Sequence, residues 1–222
     1  MVLTAVLLIV FCMSNASDAA PRTELPEPKH KGDVSVEEAI YKRVSTRRYS
    51  REPLSLEEVS QILWAAGGIT VDGVTGPTRA YASAGGRYPL EIYLVAGNVT
   101  GLSAGVYRYK WRENTLEFVK KGDLREELSG ASYRQRMVAD APAVIVVTTT
   151  TERARARYGD IGAGMFLYMD AGHLGENVHL QAEAMGLGTC MIGAYSADDV
   201  VSVIGVPDEE TVYIMPIGKP AR

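Results

Sequence analysis

The sequence predicts one α+β domain, and three observations carry that expectation. Ser35 and Ser55 each precede a glutamate by three positions at the head of a run with helical apolar spacing. Between Leu90 and Val119, and again from Ala143 to Thr149, β-branched and aromatic residues cluster in short runs separated by turns. A stripe of Leu167, Ala171, Leu174, Val178, Gln181 and Met185, spaced by fours and threes, marks a long helix that stops at Gly186. At 222 residues and 46% hydrophobic content, the chain can bury one sizeable core and nothing in it demands a second.

Each element has a local reason. A serine hydroxyl accepts from the amide three residues on while a glutamate there reaches back, so Ser35 with Glu38 opens a helix to about Arg43. Ser55 with Glu58 opens a second, which ends at Gly67-Gly68. Leu90 to Ala96 and Gly105 to Tyr109 read as strands, and Thr115 to Val119 completes a meander after a charged turn. Ala143 to Thr149 is almost wholly apolar or β-branched, the mark of a strand buried on both faces. The long helix is expected from near Asp160, and its glycines at 162, 164, 172 and 175 each cost about 1 kcal/mol relative to alanine. Such a cost predicts close approach, and tight packing against another subunit is the expected gain. A last helix begins at Ala197, and Thr211 to Ile217 forms a closing strand that delivers Gly218-Lys219-Pro220.

The first residues are expected to stand outside this domain. Residues 1–20 pair an apolar run of about a dozen residues with small and polar ones, a pattern like a signal peptide or a membrane or lipid anchor. The run falls short of the roughly 20 apolar residues of a spanning helix. Residues 21–34 read as a disordered, Pro- and charge-rich tether, and residues 35–222 as the folded domain. Export, either to the periplasm or to a membrane anchored through the N-terminus, is therefore favoured over a cytoplasmic location. A misassigned start is the alternative. Removal of the leader would leave Cys190 as the one thiol, without a disulfide partner, and a buried apolar role is expected for it.

A net charge of −4 argues against a nucleic-acid partner, because phosphate backbones require a clustered basic surface. The histidines argue against a metal. His173, Glu176 and His179 recur every third residue and fan over a helix more widely than the i, i+4 pair that holds zinc. No metal site is expected.

Four separated segments carry chemistry. Arg43, Ser45 and Arg47 alternate, so an extended chain projects two guanidinium groups and a hydroxyl to one side. Ser83-Ala84-Gly85-Gly86 and Gly186-Leu187-Gly188 supply glycines that let backbone amides approach a flat ring. Gly218-Lys219-Pro220 adds an ammonium. Singly these read as a solvated basic surface, a glycine-rich turn, a helix C-cap and an exposed lysine. Together, phosphate donors and a ring cradle describe flavin mononucleotide, FMN.

The order and spacing of several stretches add a resemblance. Lys42-Arg43-Val44-Ser45-Thr46-Arg47-Arg48-Tyr49, the run Leu56 to Ala66, Ser83-Ala84-Gly85 leading into Tyr88-Pro89-Leu90-Glu91-Ile92-Tyr93, and Asp170-Ala171-Gly172-His173 leading into Asn177 resemble the nitroreductase superfamily. Within it they are similar to the SagB-type, thiazoline-oxidase-like dehydrogenases, from about Val36 to Pro220. The resemblance implies a mainly antiparallel sheet flanked by helices in an interlocked homodimer. It implies that Arg43, Ser45, Arg47 and Lys219, the last carried by Gly218, hold the flavin phosphate. Ser83, Ala84 and Gly85 would face the pyrimidine edge, with the serine hydroxyl and backbone donors stabilising negative charge there. Leu187 and Gly188 would cover the other side near N5. Where the family commonly has proline before this serine, Ala82 stands here.

The implied activity is ping-pong hydride transfer between NADH or NADPH and a small electron-poor substrate. No Rossmann glycine fingerprint is visible, so a nicotinamide would stack directly on the flavin. Azoline-oxidising relatives carry a Lys-Tyr pair where Arg157-Tyr158 stands here. Arginine cannot act as a base at neutral pH, which weighs against peptide heterocycle oxidation, while Tyr158 is the expected proton donor. A flavin-binding electron carrier without turnover is the reading from another class.

Overall fold

The computed structural model describes residues 20–73 and 76–221. The proposed leader lies outside the described residues, apart from Ala20. Seven antiparallel strands form the central sheet in the order β1-β6-β5-β4-β7-β9-β8. They are β1 (Arg22–Glu24), β4 (Leu90–Ala96), β5 (Gly105–Lys110), β6 (Thr115–Lys121), β7 (Ala143–Thr149), β8 (Gly188–Thr189) and β9 (Glu210–Gly218); a separate hairpin pairs β2 (Ile69–Gly73) with β3 (Gly76–Arg79).

Alternation along the inner strands puts apolar side chains on both faces, and helices cover both. Ile92 and Leu94 of β4 join Ile145 and Val147 of β7 beneath α2 (Leu56–Gly67) and α7 (Leu167–Ala184). Tyr93 and Val95 join Val144 and Val146 beneath α3 (Arg125–Ala131), α4 (Arg136–Asp140) and α8 (Ala197–Ile204). Every residue of β7 is buried, as its sequence implies. Both serine caps form: the Ser35 hydroxyl accepts the Glu38 amide at the head of α1 (Val36–Lys42), and Ser55 with Glu58 closes a full capping box on α2.

Two expectations need correction. The stretch 21–34 is not wholly a tether: β1 pairs Arg22 with Glu117, Leu25 is buried, and the Pro26 carbonyl accepts from Ser60 and Asn114. Its strand partner lies some ninety residues away, beyond any local pattern. The long helix is also interrupted. After α5 (Thr151–Arg155) and the single turn α6 (Gly159–Ile161), residues Gly162–Phe166 form a π turn before α7 begins. A Cβ on Gly162 would lie 2.6 Å from the Ala154 carbonyl, and one on Gly175 would lie 2.2 Å from Met191 Sδ. The close approach predicted from these two glycines is thus made within the chain, whereas Gly164 and Gly172 face open space.

Candidate functional site

The loop from β3 to β4 carries Ser83, Ala84 and Gly85 and lies along α7, fastened by three side chains of that helix. Asn177 donates to the Ala80 carbonyl at 2.8 Å, and His173 Nδ1 meets the Ala82 carbonyl at 2.9 Å. Since a carbonyl only accepts, Nδ1 is the protonated nitrogen of His173. Asp170, 2% exposed, accepts from the Ser83 hydroxyl at 2.5 Å and from the Ala84 amide at 3.1 Å. Positions 170, 173 and 177 share one helical stripe, which is why three side chains reach one strand-like loop.

This clamp changes the role expected of Ser83. Its proton is committed to Asp170, and its oxygen accepts the Tyr88 amide at 2.8 Å. The Gly85 amide in this turn has no partner among the described residues. Gly85 sits at φ 59°, and a Cβ there would lie 2.5 Å from the Tyr158 hydroxyl oxygen and 3.3 Å from Arg157 Cδ. Tyr158 therefore stands against the Ser83–Gly85 loop, its ring edge-on to Phe166 at 5.0 Å. Arg79 anchors the base of this loop: buried, it donates to the Gly67 carbonyl at 2.6 Å and lies among the rings of Tyr81, Tyr88 and Trp111. Burial lowers its pKa from the usual arginine value.

A second group of residues gathers at the opposite end of α7. Arg43 caps α1 through its amide to the Ala39 carbonyl, and the chain leaves in an extended conformation. Thr46 donates its amide to the Thr189 carbonyl at 2.8 Å, with Ser45 bridged to Thr189 at the edge of β8. Further along, the Ser50 amide reaches the Lys219 carbonyl at 2.9 Å and the Ala221 amide reaches the Arg48 carbonyl at 3.0 Å. Tyr49 locks the stitch by donating its hydroxyl to the Thr46 carbonyl at 2.7 Å. Gly188 permits this approach, since a Cβ there would lie 2.5 Å from Thr46 Oγ1. Gly186, at φ 68°, turns the chain out of α7 and lets the Leu187 amide return to the Ala182 carbonyl at 2.8 Å.

Charge at this edge is partly available. Ser45 and Arg47 are exposed, and Arg47 makes no ion pair among the described residues. Arg43 is only 3.9 Å from Glu176, while Lys219 pairs with Glu52 at 3.1 Å, whose carboxylate raises the ammonium's pKa. Thr189 Oγ1 is buried with no hydrogen-bond partner among the described residues. Cys190 is buried, and burial pushes its thiol pKa up.

The two groups are distinct within one chain. Arg43, Ser45, Arg47, Leu187, Gly188, Gly218 and Lys219 come together, as do Ser83, Ala84, Gly85 and Tyr158. Between Asp170, which holds the loop, and Ala182, which receives Leu187, α7 rises roughly 18 Å at 1.5 Å per residue. Ser83–Gly85 and Leu187–Gly188 of the same chain therefore cannot line a single flavin ring. Asp170 and Asn177 are positioning residues that sequence reasoning passed over, although the three-and-four spacing with His173 was there to be read.

Sheet, clamped loop and basic edge together define a three-layer α+β protein whose donor groups collect at the two ends of its longest helix. The chain belongs to the nitroreductase family: the model described as Nitroreductase family matches residues 40–219. Over 187 residues it is 34% identical to MJ1384 of Methanocaldococcus jannaschii, a relative named for the nitroreductases, covering 84% of this chain and 92% of that one. A crystal structure of a Ralstonia eutropha protein, also named for the nitroreductases, superposes with a TM-score of 0.78 at 27% identity over 90% of each chain. The fold is shared with NADPH:FMN oxidoreductase of Vibrio harveyi complexed with NAD+, at a TM-score of 0.60 and 21% identity, over 84% of this chain and 69% of that one.

Proposed function

We propose that this chain is an FMN-dependent oxidoreductase, working as a homodimer to pass hydride between NADH or NADPH and a small electron-poor substrate. The observation that carries this reading is the stitching of the Arg47 segment to the Lys219 tail, which brings the backbone segments that bear Arg43, Ser45, Arg47 and Lys219 to one sheet edge. Those residue types fit a phosphate monoester: arginine can grip it in bidentate fashion and lysine as a point charge. Family membership and the NADPH:FMN neighbour support flavin over another phosphate ester. FMN, once bound, supplies reversible acceptance and release of hydride.

The separation along α7 supports assembly from two copies. If two chains pair about a twofold axis with their α7 helices antiparallel, the Ser83 loop of one meets the Gly188 edge of the other, making two equivalent sites. Large apolar side chains are exposed on this helical stretch and on α1, which packs against it. Val36, Ile40, Tyr41 and Val44 project from α1 and its end, and Ile161, Met165, Tyr168 and Met169 from the start of the long helix. Single exposed apolar residues are ordinary, but eight on neighbouring elements favour a covered face. In the proposed site the Gly85 amide faces the ring, Asp170 keeps the loop rigid, and Tyr158 holds a proton at its hydroxyl oxygen beside Gly85. Arg157 at the basic position cannot take a proton from a peptide heterocycle, which disfavours azoline oxidation.

Absorbance of the purified protein after incubation with FMN, followed by stopped-flow mixing with NADH and NADPH, tests the reading. Retained flavin that bleaches with at least one donor supports it. Retained flavin that neither donor bleaches points to an electron carrier, and a colourless protein removes the proposal.

A further inference from the structure

A narrow crevice lies between the turn at Ala84 to Pro89 and the segment from Arg153 to Phe166. Its floor is apolar apart from the buried Asp170 carboxylate, with Ala154, Phe166 and Leu167, and its rim is basic: Arg87, Arg153 and Arg157 all contribute. The carboxylates nearby are already engaged. Glu91 pairs with Arg153 and accepts from Arg108 at 2.9 Å. Both Asp170 oxygens are taken by Ser83 and Ala84. Arg87 and Arg157 make no ion pair among the described residues. Arg157 is held in place all the same, its guanidinium 5.5 Å from the Tyr158 ring centroid and its Cδ against Gly85. Two unpaired guanidiniums at the rim outnumber the one carboxylate of the floor and favour an anion, and the planar fork of arginine matches carboxylate or phosphate oxygens. At about 20 Å³ the crevice takes a water-sized group or two, so it admits an anionic head and keeps an attached ring outside.

We infer that this crevice is a recognition subsite for the carboxylate or phosphate of a substrate, gripped by Arg87 and Arg157. The inference rests on the proposed function in one respect: the ring borne by that anion would lie at the Gly85 end of the flavin site. Anionic substrates are then preferred over neutral ones of the same shape.

Calorimetric titration with matched probes tests this apart from turnover. The pair 4-nitrobenzoate and 4-nitrobenzyl alcohol reads a carboxylate, and the pair 4-nitrobenzyl phosphate and 4-nitrobenzyl alcohol reads a phosphate. The expected result is a dissociation constant at least ten-fold lower for the more anionic member of one pair. In the double variant Arg87→Gln, Arg157→Gln that ratio collapses toward one, with flavin content and melting temperature measured alongside. Equal affinities within both pairs overturn the inference, as does a preference that survives the double variant in folded protein. Protein that holds no flavin yet keeps the arginine-dependent preference defeats the proposed function while leaving the subsite standing.

Discussion

The Ser50 amide donates to the Lys219 carbonyl at 2.9 Å, fastening the segment that bears Arg47 to a tail that follows it by some 170 residues. Two cations from distant parts of the sequence thereby share one sheet edge. Arg47→Ala and Lys219→Ala are each expected to weaken FMN retention roughly ten-fold or more, and the double variant further, since each removes a charge-assisted phosphate contact. Flavin fluorescence during dialysis measures this, and unchanged retention in the double variant removes the phosphate assignment.

Asp170 holds two donors in a buried setting, and its loss leaves both unsatisfied. Asp170→Ala is expected to destabilise the fold by about 1–3 kcal/mol. Urea denaturation at neutral pH gives the value. A change below experimental error would mean that water replaces the carboxylate at no cost and that the clamp does not organise the loop.

Gly85 combines a left-handed backbone with contact to Tyr158. Gly85→Ala is expected to cost about 1 kcal/mol for the backbone alone and to push the Tyr158 ring off the loop. Adding Tyr158→Ala should recover part of the loss by making room. Full additivity of the two substitutions in thermal unfolding would show that they do not touch.

His179 is buried against the core, and desolvation, with Arg43 nearby, lowers its pKa from 6.5. A depressed folded-state pKa means that the unfolded chain binds the proton first, so the stabilising effect is present above about pH 6.5 and fades as pH falls below it. Melting temperature should drop more steeply between pH 7 and 5 in the native protein than in His179→Gln. Parallel slopes would exclude this histidine as the source.

Local chemistry explains what could be read from the sequence. The caps at Ser35 and Ser55 and the all-apolar β7 rest on residues close in the chain, and they appear where expected. Strand β1 needs Glu117 as a partner, and the π turn at Gly162 depends on the Ala154 carbonyl, so neither has a local signature. The family motifs pointed to the residue types gathered at the candidate site. They did not show that Asp170 accepts the hydrogen bond of the Ser83 hydroxyl, or that α7 holds Ser83 and Gly188 apart, because both facts depend on how the loop lies along the helix.

The central claim is that one flavin is held jointly by the Arg47–Lys219 edge of one chain and the Gly85 loop of another. Co-expression of the Arg47→Ala, Lys219→Ala variant with Gly85→Val, each with its own affinity tag, allows the mixed dimer to be isolated. A split site predicts that each variant alone loads little FMN while the mixed dimer, with one site intact, recovers close to one flavin per dimer. A mixed dimer as empty as its parents would contradict the account.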